Sequence, residues 1–194
     1  MKNFICFLIL LIFCGFVFFV GWTQIKVKPG NIGIVQSKTS GISSKIIVPG
    51  KFSWHKEFLI PTNAQIEKFE YKPYNGTKTV TGNRGSAGSF SFTFQISLSY
   101  EVELIADLLK DNKISNQEDF DSYLDGVASY LAQRAGDYLI SKFNQNPYFS
   151  PQSVTISELV SSLAFYKDYP DFDINVLTLT DYSYNISSTS EASL

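Results

Sequence analysis

The sequence predicts an α+β protein with a single N-terminal transmembrane helix, and three observations support that fold class. Residues Phe4 to Trp22 form an apolar run without a charged side chain. Residues 90–102 alternate apolar and polar side chains without a break, as in a long β-strand with one buried face. Further along, apolar residues recur at helical spacing behind two capping-box sequences. We therefore expect a membrane anchor at residues 1–22, one domain at 23–185 and a disordered tail at 186–194.

The apolar run is long enough to cross a bilayer. Its 19 residues would span about 28 Å as an α-helix, because each residue rises about 1.5 Å. Trp22 at its end is typical of the membrane–water interface, and Lys26 and Lys28 beyond it are expected to contact lipid headgroups. The residues expected to anchor the chain are Phe4, Leu8, Leu11, Phe16, Phe19 and Trp22.

A cleaved secretion signal is the alternative interpretation of this segment, with Lys2 as its positive n-region. The apolar part of such a signal usually has about 7–15 residues and ends at small side chains. The run found in this chain is longer and carries phenylalanine as far as Phe19, which favours a retained anchor. Under the positive-inside rule, Lys2 and the amino terminus on one side of the run nearly balance Lys26 and Lys28 on the other side. Because short N-terminal tails usually stay inside, we expect a single-pass membrane protein whose domain lies outside the cytoplasm.

Composition narrows the classes of function. The chain has 194 residues and a net charge of −2, which argues against nucleic acid as a partner. Residues 1–103 hold 11 basic and 5 acidic side chains, so the basic half adjoins the anchor and would face anionic lipid. Both cysteines, Cys6 and Cys14, lie in the apolar run, which leaves the domain without a disulfide or a reactive thiol.

The order of the elements predicts a mostly antiparallel sheet covered by two main helices. Pro29-Gly30 and Pro49-Gly50 are typical turns between short strands. The expected extended segments are Gln24–Val27, Ile32–Gln36, Lys45–Val48, Lys51–Trp54, Phe58–Ile60, Ala64–Tyr71, Thr77–Thr81, the strand at 90–102 and a final strand Phe172–Tyr184. The expected helices are a short one at Leu104–Lys110, one at about 116–143 capped by Ser115, and one from Ile156 to about Tyr166 capped by Thr155.

The glycine-rich segment Gly82–Gly88 is predicted to be a hairpin connection. A phosphate-binding loop leads from a strand into a helix N-terminus, where backbone amides hold the anion. This segment leads into a strand, and it has neither a Walker lysine nor a dinucleotide fingerprint.

Taken in order, these features resemble the stomatin–prohibitin–flotillin (SPFH) family. The membrane segment is followed by Lys28-Pro29-Gly30-Asn31-Ile32-Gly33-Ile34-Val35, which is similar to that family's opening "PG-x-x-G-V-V". Ile47-Val48-Pro49-Gly50-Lys51-Phe52 is similar to its "L-x-PG-x-H-F" segment, and Ser99-Tyr100-Glu101-Val102 closes the long strand like its "Y-x-V". The resemblance covers about residues 1–184.

The resemblance implies a membrane-bound α+β scaffold that assembles with copies of itself or with a related SPFH chain. It also implies association with a membrane protease or another membrane protein. The expectation that the chain has no enzymatic activity and no cofactor comes from its residues. Family members usually continue into a long coiled coil, whereas this sequence ends about ten residues after its last predicted strand. We therefore expect a short member that lacks this coiled coil. The alternative is a monomeric extracytoplasmic envelope or binding protein with a β-rich domain.

The residues that could carry catalysis or bind a metal are few. His55, the single histidine, is expected to be an ordinary surface residue, and no nucleophile-elbow sequence accompanies it. Asp119, Asp121 and Asp125 lie along one predicted helix, where their spacing makes a poor metal cage. The aspartates at 168, 171 and 173 surround Pro170 as a solvated turn. We therefore predict no catalytic, cofactor or metal residues, and a hydrolase using His55 is the least favoured alternative.

Overall fold

The computed structural model describes residues 2–83, 89–146, 148–151 and 154–185. It confirms an α+β protein with antiparallel sheets and an N-terminal apolar helix. The described helices are α1 (Lys2–Gly21), α2 (Glu103–Lys110), α3 (Gln117–Gln145), α4 (Ile156–Ser162) and α5 (Phe165–Asp168). The described strands are β1 (Asn31–Ser37), β2 (Gly41–Ile47), β3 (Ala64–Glu70), β4 (Tyr74–Asn83), β5 (Ser89–Tyr100) and β6 (Phe172–Asn185). The predicted hairpin loop at 84–88 and the predicted tail at 186–194 lie outside the described residues.

The chain packs as two compact units, each with its own three-stranded antiparallel sheet. Unit 1 consists of the chain up to Lys72 and of Val102–Asp121. Unit 2 consists of Pro73–Glu101 and of the chain from Ser122 onward. The sequence predicted one sheet, because alternation along a strand does not say which strands pair. The domain bounds of 23–185 stay a prediction.

The sheet of unit 1 has the order β2-β1-β3, and its central strand β1 is buried on both faces. On one face Val35 packs in a cluster with Val27 and Ile47. On the other face Ile34 and Phe69 are fully buried. The continuous apolar run of β1 is therefore explained by burial on two sides. The turns Pro29-Gly30 and Pro49-Gly50 precede β1 and follow β2, and both glycines have a φ of +84°, a conformation that glycine adopts at little cost.

Helix α2 packs against β2, and the first turn of α3 completes unit 1. The α3 cap lies one residue later than predicted, because the Asn116 side chain accepts a hydrogen bond from the Asp119 amide at 2.9 Å. The Asp119 carboxylate accepts in turn from the Ser115 amide at 2.8 Å and from the Ser115 hydroxyl. These hydrogen bonds hold the pKa of Asp119 below its usual range. The Asp119 carboxylate therefore makes the contact with Ser115 that the capping-box sequence Ser115-Asn116-Gln117-Glu118 predicts for its glutamate.

The sheet of unit 2 has the order β4-β5-β6, with the long alternating strand in the centre. The prediction for residues 90–102 is confirmed by β5. Five side chains on its inward face are buried: Phe92, Phe94, Ile96, Leu98 and Tyr100. All of these except Tyr100 are 0% exposed. The predicted final strand is confirmed by β6, which pairs along the whole length of β5.

Helix α3 covers the apolar face of this sheet within unit 2. The Phe143 ring stacks on Phe92 at 6.3 Å and on Tyr184 at 4.3 Å between centroids. Gly136 faces Val80 so closely that an added Cβ would lie 3.2 Å from a Val80 methyl. The helix predicted at 116–143 is therefore confirmed, and its apolar stripe is core.

Three local predictions are wrong, and the predicted helix from Ile156 to Tyr166 is interrupted. Residues Gln24–Lys26 form a 3₁₀ turn, Lys56–Leu59 form another, and Lys51–Trp54 contribute only an isolated bridge between Trp54 and Trp22. Thr155 does cap α4 by accepting from the Glu158 amide. The helix then ends at Ser162, and Ala164 adopts a φ of +50° before α5 begins.

Candidate membrane interface

The N-terminal helix α1 presents apolar side chains to its surroundings along nearly its whole length. Within the described part of the chain it alone is long and apolar enough to cross a membrane, and 6% of its most apolar stretch is buried. A signal sequence near an N-terminus can pass the same test of length and hydropathy. The predicted anchor residues Phe4, Leu8, Leu11, Phe16 and Phe19 are all exposed, and Trp22 is half-buried.

Lys26 folds back toward the end of α1. Its ammonium donates a hydrogen bond to the Val20 carbonyl at 3.3 Å and lies 4.1 Å from the centroid of the Phe58 ring. Partial burial lowers the pKa of the Lys26 ammonium. A cation at this position offsets the partial negative charge at a helix C-terminus. Lys28, the other predicted headgroup contact, is exposed.

The end of α1 is joined to the rest of unit 1 by backbone hydrogen bonds, at a place we call the joint: residues 21–23 and 53–55. The His55 amide donates to the Gly21 carbonyl at 2.9 Å, and the Thr23 amide donates to the Ser53 carbonyl at 2.9 Å. The Thr23 hydroxyl donates to the same carbonyl at 3.0 Å. Thr23 and Ser53 are both buried. The end of α1 is therefore joined to the rest of unit 1 by these hydrogen bonds and by the isolated antiparallel bridge between Trp22 and Trp54.

Close packing of Gly21 on Trp54 makes the joint tight. A Cβ added at Gly21 would lie 2.2 Å from Nε1 of the Trp54 indole, a distance that real side chains do not adopt. An added Cβ at Gly15, in the same helix, would meet nothing within 4 Å. The two glycines therefore differ in role although both lie in one apolar helix.

Replacing Gly21 by alanine is expected to loosen the joint, whereas Gly15→Ala is expected to leave it intact. Helix propensity alone would favour alanine at both positions by about 0.5–1 kcal/mol, so only the contact with Trp54 distinguishes them. Hydrogen exchange of the Thr23 and His55 amides should become faster in Gly21→Ala only. Equal exchange rates in the two variants would contradict the packing described for the joint.

The structure corrects the expectation that His55 is a surface residue. The side chain is 9% exposed, its Nδ1 lies 3.8 Å from a Glu57 carboxylate oxygen, and Nε2 has no hydrogen-bond partner within the described residues. The Ser53 hydroxyl is likewise buried without a partner there. Burial is the main cause that lowers the pKa of His55, aided by Lys45 and opposed by Glu57.

This burial predicts a pH dependence of stability. Because the folded state holds His55 neutral below its ordinary pKa of 6.5, the unfolded chain binds more protons as the pH falls. The stabilising contribution is complete above pH 6.5 and is lost as the pH falls from there through the lowered folded-state pKa. Thermal unfolding of the detergent-solubilised chain between about pH 7.5 and 5.5 should show this loss, and His55→Gln should reduce the slope. An identical slope in both proteins would contradict the prediction.

Two of the carboxylates weighed as candidate ligands, Asp125 and Asp168, have partners within unit 2. Asp125 pairs with Lys78 and accepts a hydrogen bond from the Tyr74 hydroxyl, and burial with this bond raises the pKa of Tyr74 to about 12. Asp168 accepts a hydrogen bond from Tyr130. Within the residues that the structure describes, no three potential ligands cluster as a metal site would require.

Sequence reasoning missed the aromatic contact between α1 and the segment after Gly50. The Phe52 ring stacks on Phe18 at 5.7 Å with an angle of 14° and lies 6.1 Å from Trp22. The sequence places Phe52 in a predicted strand, Lys51–Trp54. No local pattern signals this contact, because Phe18 and Phe52 lie 34 positions apart in the sequence.

The fold and the joint define a class: an α+β protein with one N-terminal apolar helix. No family model matches the chain. The chain is similar to an uncharacterized protein of Treponema pallidum (strain Nichols), with 28% identity over 132 aligned residues. The match covers 61% of this chain and 45% of that protein, so the chain spans less than half of the relative's length.

Proposed function

We propose that this chain is a non-enzymatic scaffold, held in a membrane by α1, that self-associates in the manner of the SPFH family. The observation that carries the proposal is the exposed apolar helix α1, whose last residues are built into unit 1 through the joint. Because this helix is continuous with a packed unit, it is suited to hold that unit in a fixed orientation on a bilayer.

The proposed partners are the lipid bilayer, further copies of this chain or a related SPFH chain, and a membrane protein such as a protease. The α+β architecture and the Pro-Gly turns that flank β1 and β2 support the SPFH interpretation. The proposed location of both units is outside the cytoplasm. Burial of His55 supports the absence of hydrolase chemistry, because the imidazole that such an enzyme would use is enclosed.

Self-association is tested by the mass of the full-length protein. The protein is extracted from membranes in mild detergent under reducing conditions, since Cys6 and Cys14 are exposed on α1. Light scattering, with the detergent contribution subtracted, then gives the number of subunits. A discrete assembly of several subunits supports the scaffold. A monomer at every concentration overturns it and favours the monomeric envelope or binding protein.

A matched control separates association by the units from association by the helix. In this variant, residues 4–19 are replaced by leucines, while Gly21, Trp22 and the joint are kept. An assembly that persists places the contacts outside α1, as the scaffold requires. An assembly that disappears assigns the association to the sequence of α1 and removes the support for a scaffold built by the units.

A further inference from the structure

A group of exposed apolar side chains surrounds the end of α1, and we call these residues the collar: Ile25, Phe52, Leu59 and Ile60. All four belong to unit 1, and Phe52 and Ile60 are 58% and 60% exposed. Ile25 lies in the 3₁₀ turn that follows α1. Leu59 ends the 3₁₀ turn Lys56–Leu59, which packs beside α1. Large apolar side chains exposed together mark a surface that another apolar phase covers.

The contact between Phe52 and α1 indicates how deep the collar would lie in a bilayer. Phe52 stacks on Phe18, and Phe18 precedes Trp22 by four residues. At about 1.5 Å per residue, Phe18 lies about 6 Å further along the helix axis than Trp22. If Trp22 lies at the membrane–water boundary that tryptophan prefers, the Phe52 ring, 5.7 Å from Phe18 and 6.1 Å from Trp22, lies between that boundary and the first acyl carbons.

The hydrogen bonds of the joint hold Phe52 in its contact with Phe18. Hydrogen bonds from the His55 amide to Gly21 and from the Thr23 amide to Ser53 hold the collar-bearing segment against the helix end. Gly21 permits the close approach of Trp54. If α1 enters the bilayer, the segment around Phe52 therefore lies at the depth of the last turn of α1.

The charge around the collar fits lipid headgroups. Between Gln24 and Ile60 the sequence contains six lysines and one acidic residue, Glu57. Lys51 and Lys56 are exposed and flank the segment from Phe52 to His55. Apolar side chains flanked by exposed lysines are typical of a surface that lies in the interface of an anionic membrane.

We infer that the collar inserts into the same leaflet as the end of α1, so that unit 1 is attached to the bilayer at two places. The occupant of the collar is the lipid at the boundary between headgroups and acyl chains. This inference rests on the proposed function, because it requires that α1 is retained in the membrane. It adds a second, interfacial membrane element that makes unit 1 sit on the bilayer instead of swinging from a tether.

The experiment uses the full-length chain with Cys6→Ala and Cys14→Ala, reconstituted in vesicles of phosphatidylcholine and phosphatidylglycerol. Single cysteines for an environment-sensitive fluorophore are introduced by Phe52→Cys and Ile60→Cys. Phe19→Cys in α1 is the membrane control, and Glu103→Cys, exposed at the start of α2 in the same unit, is the aqueous control. Quenching is measured with nitroxides on the lipid acyl chains and, separately, with iodide in the water.

The inference predicts that labels at 52 and 60 lose most of their fluorescence to lipid nitroxides, as the label at 19 does, while the label at 103 responds to iodide. Labels at 52 and 60 that respond to iodide alone, with the label at 19 still quenched by lipid, overturn the collar and leave the anchor standing. Labels at 52 and 60 protected from both quenchers overturn the lipid assignment in favour of a covering protein. A label at 19 that no lipid nitroxide quenches overturns the proposed anchor itself.

Discussion

A chain carrying Leu11→Arg together with Ile12→Arg is expected to lose its retention in membranes. Both side chains lie near the middle of α1 and are exposed. An arginine at the centre of a membrane helix costs about 2.5–3.5 kcal/mol on the insertion scale, so the pair costs about 5–7 kcal/mol. That cost lowers the partition into the membrane by about four orders of magnitude. The measurement is the fraction of full-length protein that remains in the pellet after membranes are washed with alkaline carbonate.

The matched control is Leu11→Ala with Ile12→Ala, which keeps the helix apolar and should leave the protein in the pellet. Retention of the arginine variant at the wild-type level would show that something other than α1 holds the chain. Release of the wild-type protein, with an intact-mass measurement that shows residues 1–22 removed, would identify α1 as a cleaved signal. The proposed scaffold would then lose its anchor.

Replacing Phe92 by alanine is expected to cost about 3–5 kcal/mol of stability in unit 2, the range for removing a fully buried phenylalanine. Phe92 is 0% exposed, and its ring lies between Phe90 at 5.5 Å and Phe143 at 6.3 Å. The substitution opens a cavity between β5 and α3 that the surrounding aromatic rings fill only in part.

Hydrogen exchange of peptides from β4, β5 and β6 is the suitable measurement. Both tryptophans, Trp22 and Trp54, lie in unit 1, so their fluorescence does not report on this core. Phe92→Leu is the matched control and should lose much less, because it keeps an apolar side chain in the same space. Unchanged exchange of β5 in Phe92→Ala would mean that this strand does not carry the core of unit 2.

Much of the secondary structure could be predicted because its pattern is local. The alternation along β5, the apolar run of α1 and the stripe of α3 each depend on residues two to four positions apart. Thr155 capped its helix as expected, since a cap also depends on near neighbours. The α3 cap moved by one residue because the Asn116 side chain accepts from the Asp119 amide, while the Asp119 carboxylate accepts from the Ser115 amide.

The candidate interface could be predicted only in part. The six anchor residues and the two lysines were named from one continuous stretch and its flank. The joint could not be predicted in this way, because it pairs Gly21 with His55 across 34 positions of the sequence. By composition, the segments Gln24–Lys26 and Lys51–Trp54 look like short strands. Turns near these segments and the bridge between Trp22 and Trp54 decided the conformation that they adopt instead.

The amino-acid sequence therefore determined the α+β class, the apolar helix and the long central strand, since periodicity and the absence of charge within short windows are sufficient for these. Only the tertiary structure decided that the strands divide into two sheets and that His55 is enclosed. It also decided that Phe52 lies against Phe18 beside the end of the helix. These features depend on contacts between distant segments, and side-chain patterns within a single segment carry no information about which distant segment will be its neighbour.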